Sequence, residues 1–278
     1  MVSFKALLAV AFVTLLSLPF LFKPPIPIPV EVEVVPPVVV VEPVKPPVKV
    51  ETYIPVHNVT LPDFAAIRDV KQKKAAFFGF LSPYVDAENR RLSLQRSWLL
   101  DLRAQFLKTY EVAREDQHTL NGLYRHYRID YEAMSTEKAL NELLKSVDEL
   151  PKALVLMQAA NESAWGTSRF ARLGLNFFGE WCYVEGCGVV PNGRPEGRNY
   201  EVEAFKSVAD GVHSYFRNIN SNVAYRLLRE IRAQFRENDL PLQAEVLATG
   251  LIRYSARGDH YVTEISQMIQ YNRRFVAD

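Results

Sequence analysis

From Leu150 to Ala160 the chain reads Leu-Pro-Lys-Ala-Leu-Val-Leu-Met-Gln-Ala-Ala, with only Lys152 and Gln158 polar. A helix this apolar has no face to give to water, so other elements must wrap it nearly all round. The stretch that follows, Asn161-Glu162-Ser163-Ala164-Trp165-Gly166, places one carboxylate at the end of that helix, beside an indole and a glycine. Where water is scarce the charged form of a carboxyl group is disfavoured, which suits it to act as a general acid near neutral pH. Taken alone, a glutamate at a fraying helix end more often points to solvent. The residues around Glu162 decide between these readings.

The chain has 278 residues, 48% hydrophobic and 12% aromatic, enough to bury the core of one catalytic domain with appendages. A net charge of +1 argues against a nucleic-acid-binding protein, which usually carries a basic excess on one face. Residues 4–22 are almost unbroken Leu, Ala, Val and Phe after Lys5. As a helix they would extend roughly 28 Å, close to the thickness of a bilayer core. No Ala-x-Ala site and no cysteine follow, so residues 1–22 read as an uncleaved inner-membrane anchor in preference to a cleaved signal peptide. Either reading exports the remainder to the periplasm. Residues 23–60 form a Pro/Val-rich linker, with Pro-Pro-Ile-Pro-Ile-Pro and Pro-Val-Lys-Pro-Pro. Proline at this density favours extended polyproline II, which would reach about 80 Å at its usual rise per residue.

The pattern turns helical in residues 61–147. Phe64, Ile67, Val70, Phe77, Phe78 and Leu81 follow three-to-four spacing up to a stop at Pro83. A second helix is expected between Asp86 and Tyr110, then shorter ones at Leu120–Arg128 and Thr136–Val147, capped by Ser135 or Thr136. Residues 148–278 form the expected catalytic domain. It opens with helix Glu149–Ala164 and continues through a β-element between Gly186 and Phe205. Helices at Val208–Ile219, Ala224–Asn238, Leu242–Ile252 and Tyr261–Phe275 complete it. The fold class is mainly α with a small β-hairpin lobe, a lysozyme-like layout with a cleft between helix and hairpin.

Four motifs in order carry a resemblance: Ala160-Asn-Glu-Ser-Ala-Trp-Gly-Thr-Ser168, Asn176-Phe-Phe-Gly179, Phe205-Lys-Ser-Val-Ala-Asp-Gly-Val-His-Ser-Tyr215 and Leu251-Ile-Arg-Tyr-Ser-Ala-Arg-Gly-Asp-His-Tyr261. From Glu149 to Asn272 the chain resembles the glucosaminidase (lysozyme-like) family of bacterial wall hydrolases. The segment Lys73–Arg91 and the Cys182/Cys187 pair narrow the resemblance to its Bax-type bacterial subgroup. It implies an endo-β-N-acetylglucosaminidase acting on peptidoglycan glycan strands, with Glu162 as general acid. Glycoside hydrolysis commonly uses a second carboxylate. The candidates on the β-element are Glu180, Glu185, Glu196, Glu201 and Glu203, of which Glu196 and Glu201 are the best placed in sequence. Tyr254 matches the family's cleft tyrosine. Trp165, Asn176, Phe178, Trp181, Tyr183 and Tyr261 are candidate substrate contacts or core residues.

In an exported chain the close pair Cys182 and Cys187 reads as a disulfide. The histidines His57, His118, His126, His213 and His260 show no metal-ligand spacing, and no cofactor motif is present, so neither metal nor cofactor is expected. Two other functions fit the same residues: a muramidase or lytic transglycosylase, for which one acid suffices, and a non-catalytic wall-binding scaffold. Oligomeric state is not legible.

Overall fold

The computed structural model describes residues 57–276. The expected anchor at residues 4–22 and nearly all of the linker lie outside the described residues. Among the described residues no helix is long and apolar enough to cross a membrane.

After an extended segment, helix α1 runs over Val70–Thr109. Asp69 caps it by accepting from the Gln72 amide at 2.8 Å, and it ends at Tyr110 in a left-handed conformation. Pro83 lies inside this helix, where the sequence reading places a stop. An interior proline costs about 3 kcal/mol. On either side of it Phe77, Phe78, Leu81, Val85, Leu92 and Leu99 are all buried. Each contributes roughly 1.5–3 kcal/mol by leaving water, so packing carries the helix through the proline.

Helices α2 (Arg114–His126) and α3 (Thr136–Ser146) follow, the latter capped by the Ser135 hydroxyl as expected. Helix α4 (Lys152–Glu162) forms from the apolar run, and Leu154, Val155, Leu156, Met157, Ala159 and Ala160 are entirely inaccessible to solvent. One continuous hydrophobic core contains these residues together with the inner face of α1. Just before α4 a buried knot of charge fixes the chain. Arg232 is wholly buried and donates to the carbonyls of Lys145, Asp148 and Glu149 at 2.8–3.2 Å. Burial pushes Asp148 towards its neutral form, but Arg232, Arg236 and Arg96 outweigh it and hold the carboxyl below its ordinary range.

A short helix α5 (Arg169–Gly174) leads into a small antiparallel sheet of β1 (Trp181–Cys182), β2 (Gly188–Val189) and β3 (Glu201–Glu203), in the order β1-β3-β2. Trp181 pairs with Val202 and Cys182 with Glu201. The sheet therefore begins earlier than the sequence reading places it. Cys182 and Cys187 form the expected disulfide, closing the turn between β1 and β2. Helices α6 (Val208–Ser221), α7 (Arg226–Glu237), α8 (Ala244–Ala248) and α9 (Asp259–Asn272) complete the chain. They match the four late helices expected, with ends tightened into 3-10 turns at Val223–Tyr225, Thr249–Leu251 and Arg273–Phe275.

Helix α4 stops at Glu162, two residues earlier than expected, because Ala164, Trp165 and Gly166 all take positive φ (49°, 60° and 77°). The left-handed conformation costs non-glycine residues roughly 1–2 kcal/mol each. Here the Trp165 amide bonds the Ala160 carbonyl at 2.8 Å, and the Gly166 amide bonds the buried Ser163 hydroxyl at 2.8 Å. Trp165 packs edge-on against Phe77 and Phe78. A Cβ on Gly166 would lie 2.5 Å from the Phe64 ring. Overpacking and the positive φ together make Gly166→Ala destabilising by about 2–4 kcal/mol. Thermal unfolding of the variant is expected to show a clear fall in Tm, and an unchanged Tm would mean the turn tolerates a side chain.

Candidate active site

A cleft of about 540 Å³ is lined by Glu162, the segment Phe178–Trp181, Glu203, one face of α6 and Tyr254. Glu162 enters it from the end of α4. Its carboxyl lies beside Gly179, where a Cβ would sit 3.5 Å from Oε2. A side chain at 179 would cover the acid; glycine, at φ 68°, leaves it open to the cleft. Burial pushes the Glu162 carboxyl above its ordinary range. Hydrogen bonds from the Tyr261 hydroxyl and the Asn161 amide, and the charge of Arg257, oppose this without cancelling it.

Three segments hold the walls. Asn176 is buried beneath the cleft, and its amide is fully engaged. Its Oδ1 accepts from the Phe178 and Glu180 amides at 3.2 and 3.1 Å. Its Nδ2 donates to the Glu180 and Glu203 carbonyls at 2.9 and 2.8 Å. This joins the loop to the third strand and continues the β1–β3 ladder outward, so that Glu180 stands opposite Glu203. Directly opposed residues of an antiparallel pair share a face, and like charges there repel. Burial, with the Glu203 charge, pushes Glu180 up to about 7, against the pull of Ser214, Arg217 and Asn218. Glu203 is raised as well, by burial. The Glu180 Oε2 atom is buried with no hydrogen-bond partner among the described residues.

The candidate residues read from the sequence divide in the structure. Glu162, Phe178, Trp181, Tyr183 and Tyr254 line the cleft. Trp181 and Tyr183 are exposed, whereas Phe178 is buried and stacked on Tyr215 at 4.1 Å. The Tyr254 hydroxyl donates to the Phe178 carbonyl at 2.8 Å and so positions the residue before Gly179. Tyr261 is fully buried behind Glu162, stacked on Tyr254. Trp165 faces Lys74 and the aromatic core, and lines a different depression. Neither Glu196 nor Glu201, the two favoured second acids, reaches the cleft. Glu196 and Glu185 are exposed on the lobe. Glu201 is buried, and its carboxylate accepts from the Gly186 and Gly188 amides at 3.1 and 2.8 Å, with Arg194 nearby. That carboxylate satisfies the backbone of the disulfide turn. Glu180 and Glu203 take the cleft position instead, and Ser214, Asn218, Arg217, Arg128 and Tyr225 join them without any sequence signal.

Fold and site define a mainly α, lysozyme-like protein with a carboxylate-lined cleft between a buried helix and a β-lobe. Residues 137–274 match the glucosaminidase family model, described as mannosyl-glycoprotein endo-beta-N-acetylglucosaminidase. Protein bax of Escherichia coli (strain K12) is 30% identical over 218 residues, 78% of this chain and 76% of that protein. No solved structure matches. The chain belongs to the glucosaminidase family, as a Bax-type member. Membership supports a role of the glycan-hydrolase kind.

A carboxyl whose folded-state pKa is raised favours folding in its protonated form. The stability Glu180 gives is therefore full below its ordinary 4.5 and lost as pH rises through about 7. Glu162 and Glu203 act in the same direction. Tm is expected to fall between roughly pH 5 and 8, and Glu180→Gln, which cannot ionise, is expected to reduce that fall. An unaltered slope would contradict a protonated Glu180.

Proposed function

We propose that the protein is an exported peptidoglycan hydrolase that cleaves the β-1,4 bond between N-acetylglucosamine and N-acetylmuramic acid, as an endo-β-N-acetylglucosaminidase. The domain works in the periplasm, held at the inner membrane through residues 4–22 and the Pro/Val linker. The observation that carries this reading is Glu162: a carboxyl kept above its ordinary pKa by burial, yet uncovered towards the cleft by Gly179.

Glu162 donates its proton to the departing glycosidic oxygen. The second carboxylate is supplied by Glu180 and Glu203, which titrate as a pair because they face one another. When that pair loses its first proton, the remaining charge can activate water or meet the developing positive charge on the sugar. Trp181 and Tyr183, exposed on the cleft rim, offer flat faces for sugar rings. Tyr254 and Tyr261 are positioning residues: one fixes the Phe178–Gly179 backbone, the other holds the acid.

On purified sacculi, Glu162→Gln is expected to lower the rate of turbidity loss at least about 100-fold, in the range of a lost general acid. Newly formed reducing ends should be N-acetylglucosamine. Undiminished activity would remove Glu162 from the mechanism, and muramic reducing ends would assign the protein to the muramidases. Sacculi bound without turnover by the wild type would mark a binding protein. The Tyr261 hydroxyl favours the ionised form of Glu162. Tyr261→Phe should therefore raise the Glu162 pKa further and move the alkaline limb of the pH–rate profile upward. A shift to lower pH would contradict that role.

A further inference from the structure

The cleft carries two arginines that the proposed hydrolysis does not use, Arg128 and Arg217. Both are exposed, and neither forms an ion pair or a side-chain hydrogen bond among the described residues. Their placement follows from the contact between α2 and α6. Arg217 lies one helical turn beyond His213, on the same face of α6. The His213 ring is 5.8 Å from that of His126, the last residue of α2. Two residues later Arg128 takes φ 59°, with its amide on the Arg125 carbonyl at 3.2 Å and the Ile129 amide on the Tyr124 carbonyl at 2.8 Å. After this left-handed turn Arg128 lines the same cleft as Arg217.

The acids nearby do not quench this pair. Glu88, next to His213, is held by two Arg91 nitrogens at 2.7 and 3.0 Å and by His213 at 3.0 Å. The charge of Arg217 reaches Glu180 and Glu203 and favours their ionised forms, but no ion pair forms with either. A cleft lined with carboxylates would repel an anionic substrate unless cations stood in the same wall. Guanidinium groups present paired donors that fit a carboxylate in two-point fashion.

We propose that Arg128 and Arg217 form a carboxylate clamp that selects glycan strands bearing acidic substituents over neutral ones. The ligand class is an N-acetylated glycan with a carboxylate carried on the sugar, either directly on an ether-linked acid or on a peptide attached to it. This deepens the proposed function and rests on the cleft being a glycan site. Arg128 is the more telling of the two, because Arg217 also tempers Glu180.

The test measures binding of the full-length protein to stem-free wall glycan and to the same strands with their carboxylates converted to neutral amides. Glu162→Gln serves as background, so that turnover does not intervene. The acidic strands should bind about tenfold more tightly, the effect of one charge-assisted contact. Arg128→Gln should remove that preference and leave the amidated strands unchanged, and Arg128→Lys should restore part of it. Rising salt should narrow the difference. In the hydrolytically active protein, Arg128→Gln should raise KM for acidic strands with kcat nearly unchanged. Equal weakening on both glycans, or no weakening on either, would overturn the clamp. Binding that depends on Arg128 in a protein that hydrolyses neither strand would uphold the clamp and overturn the proposed hydrolysis.

Discussion

Helix α4 can be buried on every side only because each polar group at its inner end finds a partner supplied by another element. Gln158 is entirely inaccessible, and an unpaired amide there would cost roughly 1–3 kcal/mol. Tyr215 of α6 donates to its Oε1 at 2.5 Å, and its Nε2 donates to the Tyr261 hydroxyl of α9 at 2.9 Å. Since the Tyr261 oxygen already accepts from Gln158, its own proton goes to Glu162. The polar chain that makes the core possible thus ends on the acid. Helices α4, α6 and α9 cannot move relative to one another without releasing a buried group, and the position of Glu162 is fixed by the same bonds.

The β-lobe shows the same economy of means at smaller scale. Asn176 uses all its amide bonding capacity to tie the loop before β1 to β3, and that tie sets Glu180 against Glu203. Gly179 keeps the space over Glu162 free, and Tyr254 holds the carbonyl just before it. Further out, the Cys182–Cys187 turn is closed by its disulfide and filled by the Glu201 carboxylate, which takes two loop amides. A chain this short of regular strand relies on side chains to satisfy its backbone.

Much of this was legible in the residues. The apolar run announced a buried helix, and the motif residues flanking Glu162, rather than its place at the helix end, marked it as the candidate acid. The late helices and the disulfide also followed from pattern. What escaped was whatever depends on register or on distant packing. Glu201 and Glu203 are two residues apart on one strand, share a face of it and look alike in sequence. Their positions along the strand separate them: Glu201 pairs with Cys182 beside the disulfide turn, and Glu203 lies beyond the Trp181–Val202 pair, opposite Glu180 at the cleft. Pro83 reads as a stop until the buried aromatic and aliphatic residues on both sides of it are seen to share one core. Trp165, next to the acid in sequence, faces the aromatic core because three consecutive positive φ values turn the chain away.

The chemistry proposed for this cleft depends on the state of one carboxyl group. The direct measurement is a pH titration of the Glu162 side-chain carboxyl by 13C NMR in protein labelled at glutamate, with the resonance assigned by its loss in Glu162→Gln. The burial described here predicts a midpoint above the ordinary 4.5 of a glutamate. A midpoint at or below that value would mean the carboxyl is solvated, and a buried proton donor would no longer describe this cleft.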